Sequence, residues 1–196
     1  MILGSNDKIY TKGVLMGEIL IELARASIAV ALGISSDFDL QKARQTYPSL
    51  NQKGAVFITL TQDQKLRGCI GSLTAHRPLY KDIIINAKLS ALSDSRFSPL
   101  TAKEFAYTKI EISLLSAPKA IEYSSITQLQ SLITPQDGVV LTLGDQRATY
   151  LPSVWESLPN FDSFFASLCQ KAGLKANCLS QHPSIELYQA TKYKEK

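Results

Sequence analysis

Two histidines, three cysteines and one tryptophan in 196 residues leave little of the usual equipment for metal or acid–base chemistry. The cysteines Cys69, Cys169 and Cys178 are odd in number and contain no C-x-x-C pair. Neither a disulfide framework nor a zinc site is signalled, and no metal site is expected. The one long apolar run, residues 14–34, is interrupted by Glu18, Glu22 and Arg25 where charge in a bilayer costs most, so it reads as a buried helix. The start of the chain lacks a charged leader, an apolar core and a small-residue cleavage site, which predicts a cytoplasmic location without a membrane partner. Lysines and arginines are scattered, with a single cluster at residues 192–196, and the net charge of +4 is modest. A nucleic-acid partner is therefore not expected. G-x-G-x-x-G, G-x-x-x-x-G-K-[ST], H-E-x-x-H and G-x-S-x-G are all missing, which removes the signatures of dinucleotide binding, phosphate-loop hydrolysis, zinc proteolysis and serine hydrolysis. The sequence leaves any cofactor unknown.

What the chain does contain is a thiol between two glycines, in Leu66-Arg67-Gly68-Cys69-Ile70-Gly71. Strand alternation predicts Leu66, Gly68 and Ile70 on one face and Arg67, Cys69 and Gly71 on the other. Glycine weakens a strand and marks a place where a backbone or a ligand approaches closely, so the pair asks for an explanation.

Around this stretch the sequence predicts alternating helices and hairpins. A helix over 13–32 has apolar positions Leu15, Ile19, Leu23, Ala26 and Val30, with Gly33 as its cap. A weakly helical stretch (36–47) and a loop (48–54) lead to a strand over 55–61, which turns at 62–64 into the glycine–cysteine strand. Pro78 opens a helix with Tyr80, Ile83, Ile84, Ala87 and Ala91 on its apolar stripe, and residues 94–100 break it. Thr101 and Glu104 form a capping box, and 109–114 alternates as a strand ended by Pro118. A helix over 125–133, a hairpin from 139 to 151, a short helix over 154–158, a helix over 163–172 with Asp162 as N-cap, and a last strand over 184–191 complete the chain. The class is α+β, an antiparallel β-sheet flanked by helices, forming a single domain over 1–196 with a smaller second lobe that includes roughly residues 34–54.

Cys69 is the candidate nucleophile, because a neighbouring cation favours the thiolate and Arg67 stands two residues away. The alternative is a packed, inert cysteine given room by its glycines. A dyad with His76 or His182 is a further option, while Asp94, Arg96 and Arg147 serve either as surface charges or as contacts to an anion. Trp155 with Phe161, Phe164 and Phe165 reads as core.

The hexapeptide at 66–71, then Asp94-x-Arg96-Phe97-x-Pro99-Leu100, then Arg147-Ala148-Thr149-Tyr150-Leu151-Pro152, resembles the AMMECR-type domain family, with the three motifs in the family's order. The resemblance implies a two-lobed α+β fold with an antiparallel sheet, and it is similar to component A of the AmmeMemoRadiSam system. In that system such a protein is grouped with a Memo-type protein and a radical S-adenosylmethionine (SAM) enzyme. It implies a small-molecule- or partner-binding component with a surface built from Arg67, Gly68, Gly71, Asp94, Arg96 and Arg147. The alternative is an enzyme that uses Cys69 as nucleophile or covalent carrier on an anionic substrate.

Overall fold

A computed structural model describes residues 5–195, with side chains from Met16 onward. The chain divides into two units. The first runs to Leu115 and takes in the chain again from Thr191, and the second is Ser116–Ala190. Residues 34–54, the expected smaller lobe, belong to the first unit. The fold is α+β, with two four-stranded antiparallel sheets, one in each unit.

In the first unit, β1 (Ala55–Gln62) is central, flanked by β2 (Lys65–Gly71) and β3 (Lys109–Leu115), with β8 (Ala190–Lys194) beyond β3. Val56, Ile58 and Leu60 alternate inward along β1 and are fully buried. They meet Ile83, Ala87 and Ala91 of α3 (Leu79–Leu92) and Leu20, Leu23, Ala24 and Ile28 of α1 (Ser5–Ala31). The buried stripe of α1 is rotated from the expected one, and Val30 is 59% exposed. This helix packs against both α3 and β3, so its inward face is set by two neighbours. The side chain of Leu15 lies outside the described residues. The stretch expected as weakly helical and loop carries α2 (Leu40–Thr46) and a 3₁₀ turn at Pro48–Asn51. Thr101 and Glu104 cap α4 (Ala102–Phe105) with both bonds of the capping box.

The β1–β2 hairpin closes through two residues, Asp63 (φ 48°) and Gln64 (φ 63°), both left-handed. A two-residue connection with positive φ at both positions matches the right-handed twist of its strands, and it normally takes Asn-Gly or Asp-Gly. Further along, Leu60 pairs with Gly68 but Thr61 pairs with Leu66, so Arg67 is the extra residue of a β-bulge. The bulge moves Leu66 onto the face of Thr61 and Cys69, where it is 43% exposed, instead of the core face expected from strict alternation.

The second unit holds β5 (Gly138–Leu143) between β6 (Gln146–Tyr150) and β7 (Ser184–Tyr188), with the three-residue β4 (Lys119–Ile121) beyond β7. Its remaining helices are α5 (Ile126–Leu132), α6 (Val154–Ser157) and α7 (Phe161–Lys171). Trp155 stacks on Phe164 at 3.6 Å between ring centroids, inside a core that includes Phe161, Phe165, Leu141 and Ile185. The N-cap of α7 is Asn160, whose side chain accepts from the Asp162 and Ser163 amides, so Asp162 falls within the first turn. The expected last strand is two strands, since β7 ends in the second sheet and β8 enters the first.

The expected absence of a disulfide is corrected. Cys169, near the end of α7, is bonded to Cys178 at the start of a 3₁₀ turn, and both are fully buried. Gly173, in the left-handed conformation at φ 78°, ends the helix and turns the chain back so that two cysteines nine residues apart meet. Among the described residues no helix is long and apolar enough to cross a membrane.

Two outcomes follow from this architecture. Gln64→Gly relieves a left-handed side-chain residue and should raise unfolding free energy by about 0.5–1 kcal/mol in urea titrations. Reduction of the Cys169–Cys178 bridge frees a ten-residue loop, and on the chain-entropy model it should cost about 2–3 kcal/mol. The sole tryptophan lies in the second unit, so its fluorescence transition should move to lower denaturant on reduction.

Candidate functional site

The site is built by four polar side chains spaced every four residues, Asp82, Asn86 and Ser90 on α3 and Asp94 just beyond it, each 5% exposed or less. They form one stripe on the helix, and the stripe faces the backbone of β1 and β2. Asp82 accepts from the Val56 amide at 2.9 Å, from the Ser72 hydroxyl at 2.7 Å and from Arg77 Nε at 2.7 Å. Asn86 donates to Asp82 at 3.0 Å and to Ser72 at 3.0 Å. Ser90 Oγ accepts from the Ile70 amide and donates to the Ile58 carbonyl, both at 2.9 Å. Asp94 Oδ2 accepts from the Cys69 amide at 2.8 Å.

β2 is an edge strand, and Asp94 takes its Cys69 amide, while Ser90 bridges the Ile70 amide and the Ile58 carbonyl between β2 and β1. The helix comes close enough because residue 68 is glycine, where a Cβ would run into the carbonyl oxygen of Ser90. At Gly71 a Cβ would run into the Phe57 ring and the Val56 carbonyl. The space beside each glycine is therefore filled by the protein's own atoms.

Cys69 is the free cysteine of the described residues and is half-buried. Both its backbone groups are held from outside the sheet, the amide by Asp94 and the carbonyl by Arg96 Nη2 at 3.2 Å. Its side chain lies on the sheet face away from α3, opposite Thr59 in the ladder, with Sγ 3.4 Å from Thr59 Oγ1. Arg96 grips Asp94 through Nε at 3.0 Å and Nη2 at 2.7 Å. These Arg96 bonds, with the Cys69 amide, hold the Asp94 carboxyl far below the usual carboxylate range against the opposing effect of its burial. The Arg96 guanidinium is pushed up, first by its hydrogen bond to Asp94, against the opposing effect of its burial, with a smaller contribution from Cys69.

Arg67 is committed to a carboxylate. It turns to Glu104, 3.2 Å away, whose carboxyl is lowered mainly by the Thr101 amide and hydroxyl and then by Arg67. Phe97 joins the two arginines, with Arg67 6.0 Å and Arg96 5.5 Å from its ring centroid. Arg147 lies in the second unit, on β6, paired with Glu186 at 3.3 Å. His76 is exposed with Nδ1 at the Thr74 carbonyl, and His182 stacks on Tyr123. Neither histidine is hydrogen-bonded to Cys69, whose thiol is partnered by Thr59. Among the described residues no group of three metal-ligating side chains forms.

Thr59, Asp82, Asn86, Ser90 and Glu104 are the site residues that sequence reasoning missed. The signal for the stripe was present as Asp82, Asn86, Ser90 and Asp94 at a constant interval of four, hidden behind the apolar positions of the same helix.

An α+β chain of two sheet-centred units, with a glycine–cysteine edge strand clasped by a polar helix stripe, defines the class. A family model described as AMMECR1 matches residues 21–193, and the chain belongs to the AMMECR1 family. It is 33% identical to protein SSO0193 of Saccharolobus solfataricus over 191 residues, covering 92% of this chain and 82% of that one. Protein PH0010 of Pyrococcus horikoshii is 32% identical over 172 residues, covering 83% and 81%. The crystal structure titled uncharacterized protein PH0010 superposes with a TM-score of 0.78 at 31% identity, covering 92% of this chain and 91% of that one.

The pH dependence of this clasp is specific. A carboxyl lowered in the folded state stabilises fully above its unfolded pKa of about 3.9, and that contribution is lost as pH falls towards the folded value. Asp94→Asn should therefore destabilise at pH 7 by about 1.5–3 kcal/mol, from the charged hydrogen bonds it loses. The gap to the wild type should narrow below about pH 4, measured by far-ultraviolet circular dichroism in urea.

Proposed function

We propose that the chain is a binding component whose contact surface is the Cys69 strand with Arg67, Asp94, Arg96 and Phe97, acting with a Memo-type protein and a radical SAM enzyme. The observation that carries this reading is the two-sided hold on the Cys69 backbone, amide to Asp94 and carbonyl to Arg96. Such a hold fixes a surface in advance, and a pre-formed surface binds without the entropy cost of ordering it. The AmmeMemoRadiSam partners come from the resemblance of the three sequence motifs.

A second reading makes Cys69 a nucleophile or covalent carrier for an anionic substrate, favoured by the Arg96 guanidinium held at the Cys69 carbonyl at 3.2 Å. The histidines do not supply its base, since the thiol's hydrogen-bond partner is a threonine hydroxyl.

Titration calorimetry of the full chain against the two partner proteins of the same organism separates the readings. Cys69→Ala should leave partner affinity within threefold and keep the pathway's output, while Arg96→Gln should weaken binding at least tenfold. Lost output with partner affinity retained in Cys69→Ala would favour the nucleophile. Gly68→Val is unsuitable here, because its side chain would collide with α3 and disturb the fold.

A further inference from the structure

We infer that Arg67 and Arg96 together form an oxyanion site beside the Cys69 strand, which takes a small molecule or side group bearing a carboxylate or phosphate. This deepens the binding reading above and rests on it. Each guanidinium is committed along one edge only. Arg96 spends Nε and Nη2 on Asp94 and the Cys69 carbonyl, and Arg67 spends Nε and Nη2 on Glu104. Among the described residues the remaining Nη1 groups meet no acceptor, and no buried side-chain nitrogen or oxygen is left without a partner. The Arg96 side chain is 53% exposed, and the Arg67 Nη1, in a side chain 13% exposed, is not sealed from solvent.

The two forks are also held in place. Both lie against the single ring of Phe97, and each has a carboxylate behind it that sets its plane. The Asp94 side chain is 4% exposed, so it orients Arg96 from the protein side and leaves the outer edge open. A planar fork so held matches the two oxygens of a carboxylate or phosphate, and less side-chain entropy remains to be lost on binding. The four charged groups cancel, so recognition depends on the direction of the N–H groups more than on net charge. Affinity for a bare anion is then modest, with dissociation constants of the order of millimolar.

Thermal unfolding of the full chain in inorganic phosphate and in succinate, against potassium chloride at matched ionic strength, tests the site. Saturable stabilisation by either anion is expected, and the stronger of the two assigns the group as phosphate or carboxylate. Arg67→Lys and Arg96→Lys keep the charge and lose the fork, and each should raise the half-saturating concentration at least fivefold. Calorimetric titration of the folded variants at low temperature gives the same comparison if their stability has dropped. An effect no larger than that of chloride, or one unchanged in both lysine variants, overturns the inference. Partner titration without added anion keeps the two proposals apart: binding of partners without binding of anion removes only the oxyanion site, and the converse removes only the partner reading.

Discussion

Everything at the candidate site depends on one constraint: a helix and the edge of a sheet satisfy each other's polar groups through side chains. An edge strand leaves every second residue with an unpaired amide and carbonyl, and burying those groups unpaired would cost about 1–3 kcal/mol each. Asp94 takes the amide of Cys69 and Arg96 its carbonyl, while Ser90 bridges the Ile70 amide and the Ile58 carbonyl of the neighbouring strand. The same stripe, through Asp82 and Asn86, ties the start of the helix to Val56 and Ser72. The apolar residues of α3 supply attraction without direction, and the polar stripe supplies register.

This constraint changes the meaning of the hexapeptide. Its glycines answer to packing: Gly68 admits the backbone of α3, and Gly71 admits the Phe57 ring. The residues that present chemistry outward are those beside them, the Cys69 thiol on one face and the Arg96 and Arg67 edges around Phe97. A bulge at Arg67 interrupts the alternation here, and the arginine at the bulge pairs with Glu104.

Most elements were legible from period and punctuation. The β1–β2 hairpin, the capping box at Thr101 and Glu104, the α3 helix and the β5–β6 hairpin all stand where local rules put them. Reading failed where a partner far along the chain decides. The division of residues 184–191 between two sheets is invisible to alternation, which continues across the break at Gln189. The Cys169–Cys178 bond depends on a left-handed turn at Gly173 and on the return of the chain to α7, so counting cysteines did not reveal it. Arg147, grouped with Cys69 by motif order, lies in the other unit with its own acidic partner.

By itself the sequence determined the α+β class, the elements, the family resemblance and the thiol between two glycines, because these follow from local spacing and residue type. Only the tertiary structure decided which cation holds the Cys69 backbone, what fills the space beside the glycines and where the chain divides. Those outcomes turn on long-range hydrogen bonds from α3 and the segment after it to β2, 20 to 37 residues apart, and no local pattern can specify which of several arginines or carboxylates will make them.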